Sequence, residues 1–379
     1  MADARGWCPD LFTPMQSGDG WLIRLKPRLA RITVRQAFAV AQVARASGNG
    51  LIDLTGRGNL QLRGLTPDTA EHAARQLVAA GLADPDPARE RRRNLIVSPL
   101  MPAPAVAVAE ALATTIECAA WLDALPAKFA FGVSAGRFPL ADDQADLLVR
   151  PQGDTWRLFL GGHTRDASAA AVPAVALSMV RALPPTRRRP HAAPRAPRPI
   201  GPHVVGWHPE AGAFGFGLPF GQLDSGLLTR LASLAARDGD GLLHLTTWRA
   251  MLVAGIDPAA VPALRDALDG LVQDPGDPRL LVNACIGSAG CSSGKVDARA
   301  DALALLRLGV RAPSIHVSGC AKGCAHPGPA ALTLVGRGIR DGRGLYGLVR
   351  DGRAGDTALA DGLDCMQLVG RLGRSADPS

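Results

Sequence analysis

An internal repetition constrains the fold of this sequence more than any other feature. Three segments follow one another in the first half: "GDGWLIRLKPR" (18–28), "VRQAFAVAQVARAS" (34–47) and "GLIDLTGRGNLQLRGL" (50–65). Three similar segments follow one another in the second half: "GAFGFGLPFGQL" (212–223), "GLLTRLASLAARDG" (226–239) and "GLLHLTTWRAMLVAGI" (241–256). Each set has the hydrophobic pattern of a strand, a helix and a strand, and a further helical segment follows each set. A unit used twice predicts an α+β protein of pseudo-twofold architecture, with a site between the copies.

Identical residues occupy matching positions of the two units. Gly50, Leu54 and Thr55 of the first unit align with Gly241, Leu245 and Thr246 of the second. An arginine follows shortly after the Leu-Thr pair in both units. A chance match between two ordinary strand-helix-strand segments is the alternative, and the shared pattern makes it the weaker one.

A segment rich in proline and arginine separates the two halves. Residues 184–202 read "PPTRRRPHAAPRAPRPIGP" and have no apolar periodicity. Proline at this density is incompatible with a helix or a central strand, so the segment is predicted to be a linker. The predicted organisation is a half-domain at 1–92, an α/β lobe at 93–183, the linker at 184–202, a second half-domain at 203–280 and a second α/β lobe at 281–379.

The chain has a formal charge of +8 that comes almost wholly from arginine. Its 379 residues include only four lysines: Lys26, Lys128, Lys295 and Lys322. A genomic preference for arginine codons explains much of this bias, but guanidinium groups are also well shaped to bind carboxylates and phosphates. No long basic helix is present and aromatic residues make up 4% of the chain, so no nucleic-acid partner is indicated. An anionic small molecule fits the composition better.

The cysteines are expected to be reduced. No apolar run approaches the roughly 18–20 residues needed to cross a bilayer, and the N-terminus "MADARGWCPD" has no apolar signal segment. We therefore expect a cytoplasmic protein with no membrane partner, in which thiols stay reduced. The seven cysteines are also an odd number, which is not typical of a disulfide framework. Cys118 lies in the apolar helical run "AEALATTIECAAWL" and is predicted to be a core residue.

Four of the cysteines form a constellation in the last third of the chain. Cys285 and Cys291 are separated by five residues, and Cys320 and Cys324 by three. Four thiolates are what a [4Fe–4S] cluster needs, and the glycines between them let the backbone approach the sulfurs. Zinc also takes four cysteines but prefers shorter spacings within a pair, and a dithiol redox pair usually has two intervening residues. The spacing favours an iron–sulfur cluster over zinc, and zinc over simple burial.

The cysteine spacing and the doubled unit together resemble the nitrite and sulfite reductase superfamily. The resemblance covers nearly the whole chain. It implies a pseudo-twofold fold of two ferredoxin-like half-domains and two α/β lobes. It also implies that Cys285, Cys291, Cys320 and Cys324 hold a [4Fe–4S] cluster, with Cys324 nearest to a bound tetrapyrrole.

Three shorter motifs extend the resemblance to the anion-binding site of the superfamily. "LTGRGNLQL" resembles its LTxRxxxQ strand and implies roles for Arg57 and Gln61. "RRRNLIVSP" resembles its R-N-V stretch and implies roles for Arg93 and Asn94. "LPAKFAFG" resembles its LPRKFK segment and implies a role for Lys128. These five residues are the candidate substrate-binding residues.

The chain departs from the sulfite reductases of the superfamily at one position. They have a second lysine where this chain has Ala130. Reduction of a small dianion needs concentrated positive charge, so the missing lysine weakens a sulfite reductase function. The segments "CPDLFTPMQSGDGWLIRL" and "SGCAKGCAHP" instead resemble one branch of the superfamily, the precorrin-3B synthases of aerobic cobalamin biosynthesis.

The resemblance to this branch implies a monooxygenase. Its substrates are precorrin-3A and O2, and its product is hydroxylated at ring carbon 20 and carries a γ-lactone. The branch keeps the [4Fe–4S] cluster and is associated with a mononuclear non-haem iron. A precorrin carries eight carboxylates, which arginine forks are suited to bind. An external ferredoxin or NAD(P)H-dependent reductase is the implied electron donor, because no flavin or nicotinamide domain is recognisable.

The candidate catalytic residues are Arg57, Lys128 and His326. His326 follows Cys324 by two residues, and His316, His244 and Asp53 are further candidates for an iron ligand. A sirohaem-dependent sulfite or nitrite reductase is the first alternative function. A non-catalytic Fe–S or tetrapyrrole-binding protein is the second.

Overall fold

The computed structural model describes residues 9–183 and 201–372. Within these ranges the chain forms 20 strands and nine α-helices, and the strands make four five-stranded sheets. Most of the predicted linker, residues 184–200, lies outside the described residues. None of the helices in the two described ranges is long and apolar enough to cross a membrane.

The first half of the chain contains ten strands and five helices. Its first unit consists of β1 (Met15–Ser17), β2 (Gly20–Leu25), β3 (Arg31–Thr33), α1 (Val34–Ser47), β4 (Leu51–Leu54), β5 (Leu60–Leu65), α2 (Pro67–Ala79) and α3 (Pro87–Arg92). The lobe that follows consists of β6 (Leu95–Val97), α4 (Ala103–Cys118), β7 (Phe131–Val133), β8 (Leu147–Gln152), β9 (Thr155–Leu160), β10 (His163–Ala167) and α5 (Val172–Arg181).

The second half repeats this order of a unit followed by a lobe. Its unit consists of β11 (Gly206–His208), β12 (Ala213–Gly217), β13 (Gln222–Asp224), α6 (Ser225–Asp238), β14 (Leu242–Leu245), β15 (Ala250–Ala254) and α7 (Val261–Ala267). Its lobe consists of β16 (Val282–Ala284), α8 (Ala298–Arg307), β17 (Ile315–Ser318), β18 (Ala330–Arg340), β19 (Arg343–Gly352), β20 (Ala360–Leu363) and α9 (Cys365–Leu372).

The two repeated units exchange one strand each. The first sheet has the order β1-β2-β5-β4-β13, so its last strand comes from the second unit. The second sheet has the order β11-β12-β15-β14-β3, so its last strand comes from the first unit. One apolar core contains residues of both units, including Val40 of α1 and Leu231 of α6. The predicted bounds at 1–92 and 203–280 stay a prediction, and the exchange shows that the two segments pack as one body.

Equivalent helix caps follow the two exchanged strands. The Thr33 hydroxyl accepts a hydrogen bond from the Gln36 N–H, and the Gln36 side chain accepts one from the Thr33 N–H, which is a capping box. The Asp224 carboxylate accepts a hydrogen bond from the Leu227 N–H. Each cap fixes where its helix begins, so the chain turns from strand into helix at matching places.

The loops between the two central strands confirm the alignment of the units. Thr55 N–H donates to the Asn59 carbonyl, and Thr246 N–H donates to the Ala250 carbonyl. The two loops therefore have the same length and closure. Gly50 and Leu54 keep the same spacing to Thr55 as their aligned partners keep to Thr246, as the repetition predicts.

The arginines after the Leu-Thr pairs are not equivalent, however. With Thr55 placed on Thr246, Arg57 corresponds to Trp248, and Arg249 corresponds to Gly58. Gly58 has φ +71 and Arg249 has φ +53, so both occupy the left-handed position of the same loop. An arginine follows the Leu-Thr pair in both units, but the two arginines occupy adjacent, not identical, positions of the equivalent loops.

The two lobes each contain one sheet with a parallel part and an antiparallel part. The third sheet has the order β10-β9-β8-β7-β6, and β6, β7 and β8 are parallel. The fourth sheet has the order β16-β17-β18-β19-β20, and β16, β17 and β18 are parallel. Carboxyl ends of neighbouring parallel strands lie at one edge of a sheet, which is where α/β folds usually place their sites.

Candidate functional site

The four cysteines meet at one edge of the fourth sheet. β16 ends immediately before Cys285, and β17 ends at Ser318, two residues before Cys320. The two strands are parallel neighbours, so the loops that follow them start at the same edge. We call these loops, residues 285–297 and 319–329, the cysteine loops. The topology brings both cysteine pairs together although 28 residues separate them in sequence.

The electrostatics of these thiols suit the binding of several iron ions. Burial raises the pKa of the Cys324 thiol, and Cys320, Cys285 and Cys291 raise it further. Cys324 as a residue remains exposed, so desolvation acts on its sulfur while the loop stays open at one side. Four neighbouring thiolates repel one another, and iron ions between them would offset that repulsion. The donor set therefore fits a [4Fe–4S] cluster.

The same thiols are not arranged around a single ion. In residues 9–183 and 201–372, no three His, Cys, Asp or Glu side chains lie close enough together to hold one metal ion. A [4Fe–4S] cluster does not require this, because each of its four cysteines binds a different iron. A mononuclear iron does require it, so the described residues do not fit such a site and we assign no step to one.

Glycines let the two cysteine loops approach closely. The Gly319 N–H donates to Cys285 Sγ at 3.0 Å. A Cβ atom on Gly319 would lie 2.9 Å from the Gly287 Cα and 3.4 Å from Cys285 Sγ. A Cβ atom on Gly294 would lie 2.3 Å from the carbonyl carbon of Gly287. Side chains at these positions would push the loops apart, so the glycines form a cradle for the thiols.

A single methyl group tests this cradle. We expect Gly319→Ala to destabilise the protein by about 1–3 kcal/mol, because the new Cβ is overpacked against backbone. The displaced Cys285 should also lower the iron content of the purified protein. Gly338→Ala is the matched control, because nothing lies within 4 Å of a Cβ atom there. Equal iron content and equal unfolding midpoints in the two variants would contradict the cradle.

The first sheet carries a row of polar side chains next to this edge. Arg24, Gln61, Asp53 and Gln222 lie opposite one another on β2, β5, β4 and β13. The flanking positions of each strand are apolar and belong to the shared core, as Leu60 does. Since alternate residues of a strand face opposite sides, the row faces away from that core.

The equivalent row of the second sheet has a different character. It consists of Gly215, Leu252, His244 and Arg31 on β12, β15, β14 and β3. The His244 ring lies 3.2 Å from a carboxylate oxygen of Asp240 on the same segment. His244 and Asp53 thus hold equivalent positions, but on different sheets, and the structure does not bring them together. The duplicated frame therefore provides one polar row for a site rather than two.

Arg63 connects the first sheet to the cysteine loops. Its side chain is buried and makes two hydrogen bonds to the Asp19 carboxylate, at 2.9 Å and 2.8 Å. It also donates to Asp53 at 3.1 Å and to the Gly290 carbonyl at 3.2 Å. Gly290 precedes Cys291, so this guanidinium links the polar row to the loop of the first cysteine pair. Arg63 lies in none of the motifs, and a charge inside the apolar strand "LQLRGL" is its one signal in the sequence.

Three of the predicted site residues come together at the end of β4. Arg57 donates to the Asn94 side chain at 3.1 Å and to the Lys128 carbonyl at 2.9 Å. The Asn94 amide in turn donates to the Phe129 carbonyl. The Lys128 side chain is exposed. Arg57, Asn94 and Lys128 therefore form one group, and Gln61 lies on β5, the strand that follows the loop of Arg57. Their role in binding substrate stays a prediction.

Arg93 points into a different network. It forms an ion pair with Glu90 at 2.7 Å and a longer one with Glu117 at 3.5 Å, and it donates to the Leu82 carbonyl. Burial lowers the pKa of the neighbouring Lys26 ammonium to about 8, and this group donates to two backbone carbonyls. The guanidinium of Arg93 is thus committed to carboxylates of the protein, and its assignment to substrate stays a prediction.

The core position predicted for Cys118 is wrong. Cys118 is exposed at the last residue of α4. The preceding residue, Glu117, is buried instead and accepts a hydrogen bond from Arg28 at 2.7 Å. Because successive residues of a helix face different sides, the inward position of Glu117 leaves Cys118 facing outward.

His326 of the second cysteine loop lies next to His316 of β17. Their ring centroids are 5.8 Å apart, and a Cβ atom on Gly323 would lie 3.6 Å from the His316 ring. His316 is fully buried and neither ring nitrogen has a hydrogen-bond partner among the described residues. Burial lowers its pKa to about 4, which keeps the ring neutral. The His326 ring lies 3.1 Å from the Pro329 carbonyl.

Comparisons with known proteins agree on one superfamily. Residues 13–80 and 209–271 match a family model described as the nitrite/sulfite reductase ferredoxin-like half domain. A precorrin-3B synthase from Sinorhizobium sp is 32% identical over 98% of this chain and 88% of its own length. A ferredoxin–nitrite reductase from Synechococcus elongatus is 25% identical over 90% of this chain and 81% of its own length.

The solved structures confirm the fold. The NirA protein of Mycobacterium tuberculosis superposes with a TM-score of 0.63, covering 91% of this chain and 76% of that protein. Its sequence identity is 18%, so this likeness concerns the fold alone. The predicted α+β, pseudo-twofold fold of ferredoxin-like half-domains and two further lobes is therefore confirmed.

Proposed function

The chain belongs to the precorrin-3B synthase family within the nitrite and sulfite reductase superfamily, and from that premise we propose that it hydroxylates precorrin-3A in cobalamin biosynthesis. The observation that carries this proposal is the 32% identity to a precorrin-3B synthase over 98% of the chain. Ring carbon 20 gains one oxygen atom of O2, and the other oxygen atom leaves as water. Two electrons and two protons complete this balance. The inserted oxygen would first bridge carbon 20 and the neighbouring ring-A carbon. The ring-A acetate would then bond to that ring-A carbon as its bond to the bridging oxygen breaks, and the oxygen left on carbon 20 would take the acetate's proton. The γ-lactone thus closes without loss of water, and the product is heavier by one oxygen atom.

The four cysteines would hold the electron-transfer group of this reaction. Cys285, Cys291, Cys320 and Cys324 converge on one edge of the fourth sheet, and a [4Fe–4S] cluster bound there supplies electrons one at a time. An external ferredoxin or NAD(P)H-dependent reductase would deliver these electrons. Cys324 is exposed, which supports the proposal that a bound substrate can approach the cysteines from this side.

The chain's own polar groups would bind and orient the precorrin. Arg57 is fixed by hydrogen bonds to Asn94 and to the Lys128 carbonyl, so its guanidinium is held in place before substrate arrives. The exposed Lys128 ammonium adds a positive charge that can pair with a substrate carboxylate. Gln61 lies in the polar row of the first sheet and offers an amide. These positions support substrate binding along the line from β4 to the cysteine loops.

A sirohaem-dependent reductase is the second candidate, because of the 25% identity to a nitrite reductase. The local structure at Ala130 weighs against it. Ala130 is fully buried, and its N–H donates to the Asp146 carboxylate at 2.8 Å. The position that would carry a second lysine is therefore packed rather than open to a small anion.

One purification separates the two candidates. The protein would be isolated without oxygen and its absorption spectrum recorded before and after addition of precorrin-3A. A synthase should show the broad absorption of an iron–sulfur cluster without the red bands of an isobacteriochlorin. With O2 and a reductant it should then convert precorrin-3A into a product heavier by one oxygen atom. Isobacteriochlorin bands in the isolated protein, or no product under these conditions, would contradict the proposal.

A further inference from the structure

Two half-buried arginines outside the motifs described above lie next to Asp53 in the polar row of the first sheet. Arg249 lies in the loop between β14 and β15 with φ +53. A non-glycine residue in this conformation costs about 1 kcal/mol, and the first unit has glycine at the equivalent position. The side chain passes close to the backbone of Gly221, where a Cβ atom would lie 3.1 Å from Arg249 Cδ. The absence of a side chain at Gly221 therefore leaves room for the Arg249 side chain to extend toward the first sheet.

Arg299 approaches the same place from the cysteine lobe. It is the second residue of α8, and Asp297 caps the N-terminus of this helix. A positive charge in the first turn of a helix is unfavourable because of the helix dipole. Its Nη1 atom is 3.6 Å from Asp53, and its Nε and Nη1 atoms are buried without a hydrogen-bond partner among the described residues. Its long ion pair with Asp53 therefore leaves part of its hydrogen-bonding capacity unused.

The charges around these two side chains do not balance. The interacting groups are the guanidiniums of Arg63, Arg249 and Arg299 and the carboxylates of Asp19 and Asp53. Arg63 occupies both oxygens of Asp19, so the remaining carboxylate faces more than one cation. Burial and, to a smaller extent, repulsion from Arg299 lower the pKa of Arg249 to about 10. A guanidinium group stays protonated at neutral pH, so this cluster of three arginines and two aspartates carries excess positive charge.

Excess buried charge is costly unless an opposite charge joins it. An anion between Arg249 and Arg299 would remove their mutual repulsion and supply acceptors for the unused donors of Arg299. A carboxylate matches the planar fork of a guanidinium and can accept from two arginines at once. Arg299 also interacts with Cys285, so the anion would lie next to the cysteine loops.

We propose that Arg249 and Arg299 form a carboxylate clamp that binds a peripheral carboxylate of the tetrapyrrole substrate beside the cysteine loops. This proposal rests on the proposed function for the identity of the tetrapyrrole. The clamp would add a second fixed point to the group of Arg57 and Lys128. Two separated anchors set both the position and the rotation of a flat ring, so the clamp would determine which ring carbon faces the reacting centre. Arg249 and Arg299 are then specificity-determining residues.

Binding without turnover tests the clamp. Precorrin-3A would be titrated, without oxygen or reductant, into the cluster-loaded protein and into the variants Arg249→Gln and Arg299→Gln. Each variant should bind about 10-fold to 100-fold more weakly, the range for loss of a charge-assisted hydrogen bond. Arg249→Lys and Arg299→Lys keep the charge but lose the fork, and should fall between. Arg340→Gln, on an exposed residue of β18, is the matched control and should bind like the original protein.

The alternative occupant of the clamp is the cluster itself, whose negative charge the arginines would then balance. In that case the substitutions would change the reduction potential of the cluster and leave the dissociation constant for precorrin-3A unchanged, which would overturn the proposal. Sirohydrochlorin, a second tetrapyrrole octacarboxylate, would be titrated in parallel. If the original protein binds sirohydrochlorin but not precorrin-3A, the proposed function fails. The same arginine variants then test the clamp with sirohydrochlorin as the ligand. If it binds neither, both proposals fail.

Discussion

Replacing Cys324 with serine is expected to abolish assembly of the iron–sulfur cluster. The cluster needs one thiolate for each of its four irons, and a serine hydroxyl is a far weaker ligand at neutral pH. Cys324 also shows how close the thiols are, because the other three all raise its pKa. With only three thiolates left, one iron of the cluster would have no protein ligand. Iron and sulfide analysis should fall from about four of each per chain to nearly none, with loss of the visible absorption.

Cys118→Ala is the control for this prediction. Cys118 is exposed at the end of α4 in the first lobe, whereas the cysteine loops belong to the second. The control should keep its full iron content and its visible spectrum. Loss of iron in both variants would show that the assignment of the four ligands is wrong. Circular dichroism of Cys324→Ser would establish that the protein still folds, so that missing iron reflects a missing ligand.

The sequence predicts the order of strands and helices in this protein better than it predicts the contacts between distant residues. The repeated strand-helix-strand pattern is carried by local periodicity, so both units can be recognised without a structure. The exchange of β3 and β13 cannot be, because strands of three residues have little pattern of their own. Their pairing is decided by the shared core, which contains residues from both units. Long-range packing therefore turns two predicted half-domains into one interlocked body.

The same limit explains which site residues were found. The four cysteines and Arg57 lie in motifs with a definite spacing, and the structure brings each group together. Arg63 and Arg299 lie in no motif, and a chain with so many arginines gives no local sign of which ones are buried. Their importance comes from partners far away in sequence, such as Gly290 and Asp53.

Arg93 shows that a motif match does not fix where a side chain points, and its role in substrate binding stays a prediction. It lies in a stretch that resembles a binding motif, yet Glu90 and Glu117 already occupy its guanidinium. A buried carboxylate attracts the nearest arginine strongly, because leaving either charge unpaired would be costly. Sequence similarity records the residue type, whereas the local charge balance decides its partner.

Replacing Arg63 with leucine is expected to destabilise the protein by about 3–5 kcal/mol, the usual cost of removing one partner from a buried ion pair. Arg63 is 6% exposed and is the shared partner of the Asp19 and Asp53 carboxylates. The leucine side chain would leave both carboxylates, whose side chains are 8% and 15% exposed, without this donor. It would also remove the hydrogen bond to the Gly290 carbonyl, which connects the first sheet to the loop before Cys291.

The unfolding free energy from urea denaturation, followed by circular dichroism, is the measurement for this prediction. Arg75→Gln is the matched control, because Arg75 pairs with Glu71 on the surface of α2 and both side chains are largely exposed. An exposed pair of this kind contributes about 0.5 kcal/mol or less, so the control should differ little from the original protein. If Arg63→Leu is no less stable than Arg75→Gln, then the buried network does not hold the first sheet to the cysteine lobe. If it is less stable by the expected amount, the hydrogen bonds of Arg63 stabilise the fold. The same hydrogen bonds join Asp53 of the polar row to the Gly290 carbonyl beside Cys291, so the residue that supports the fold also connects the polar row to the cysteines.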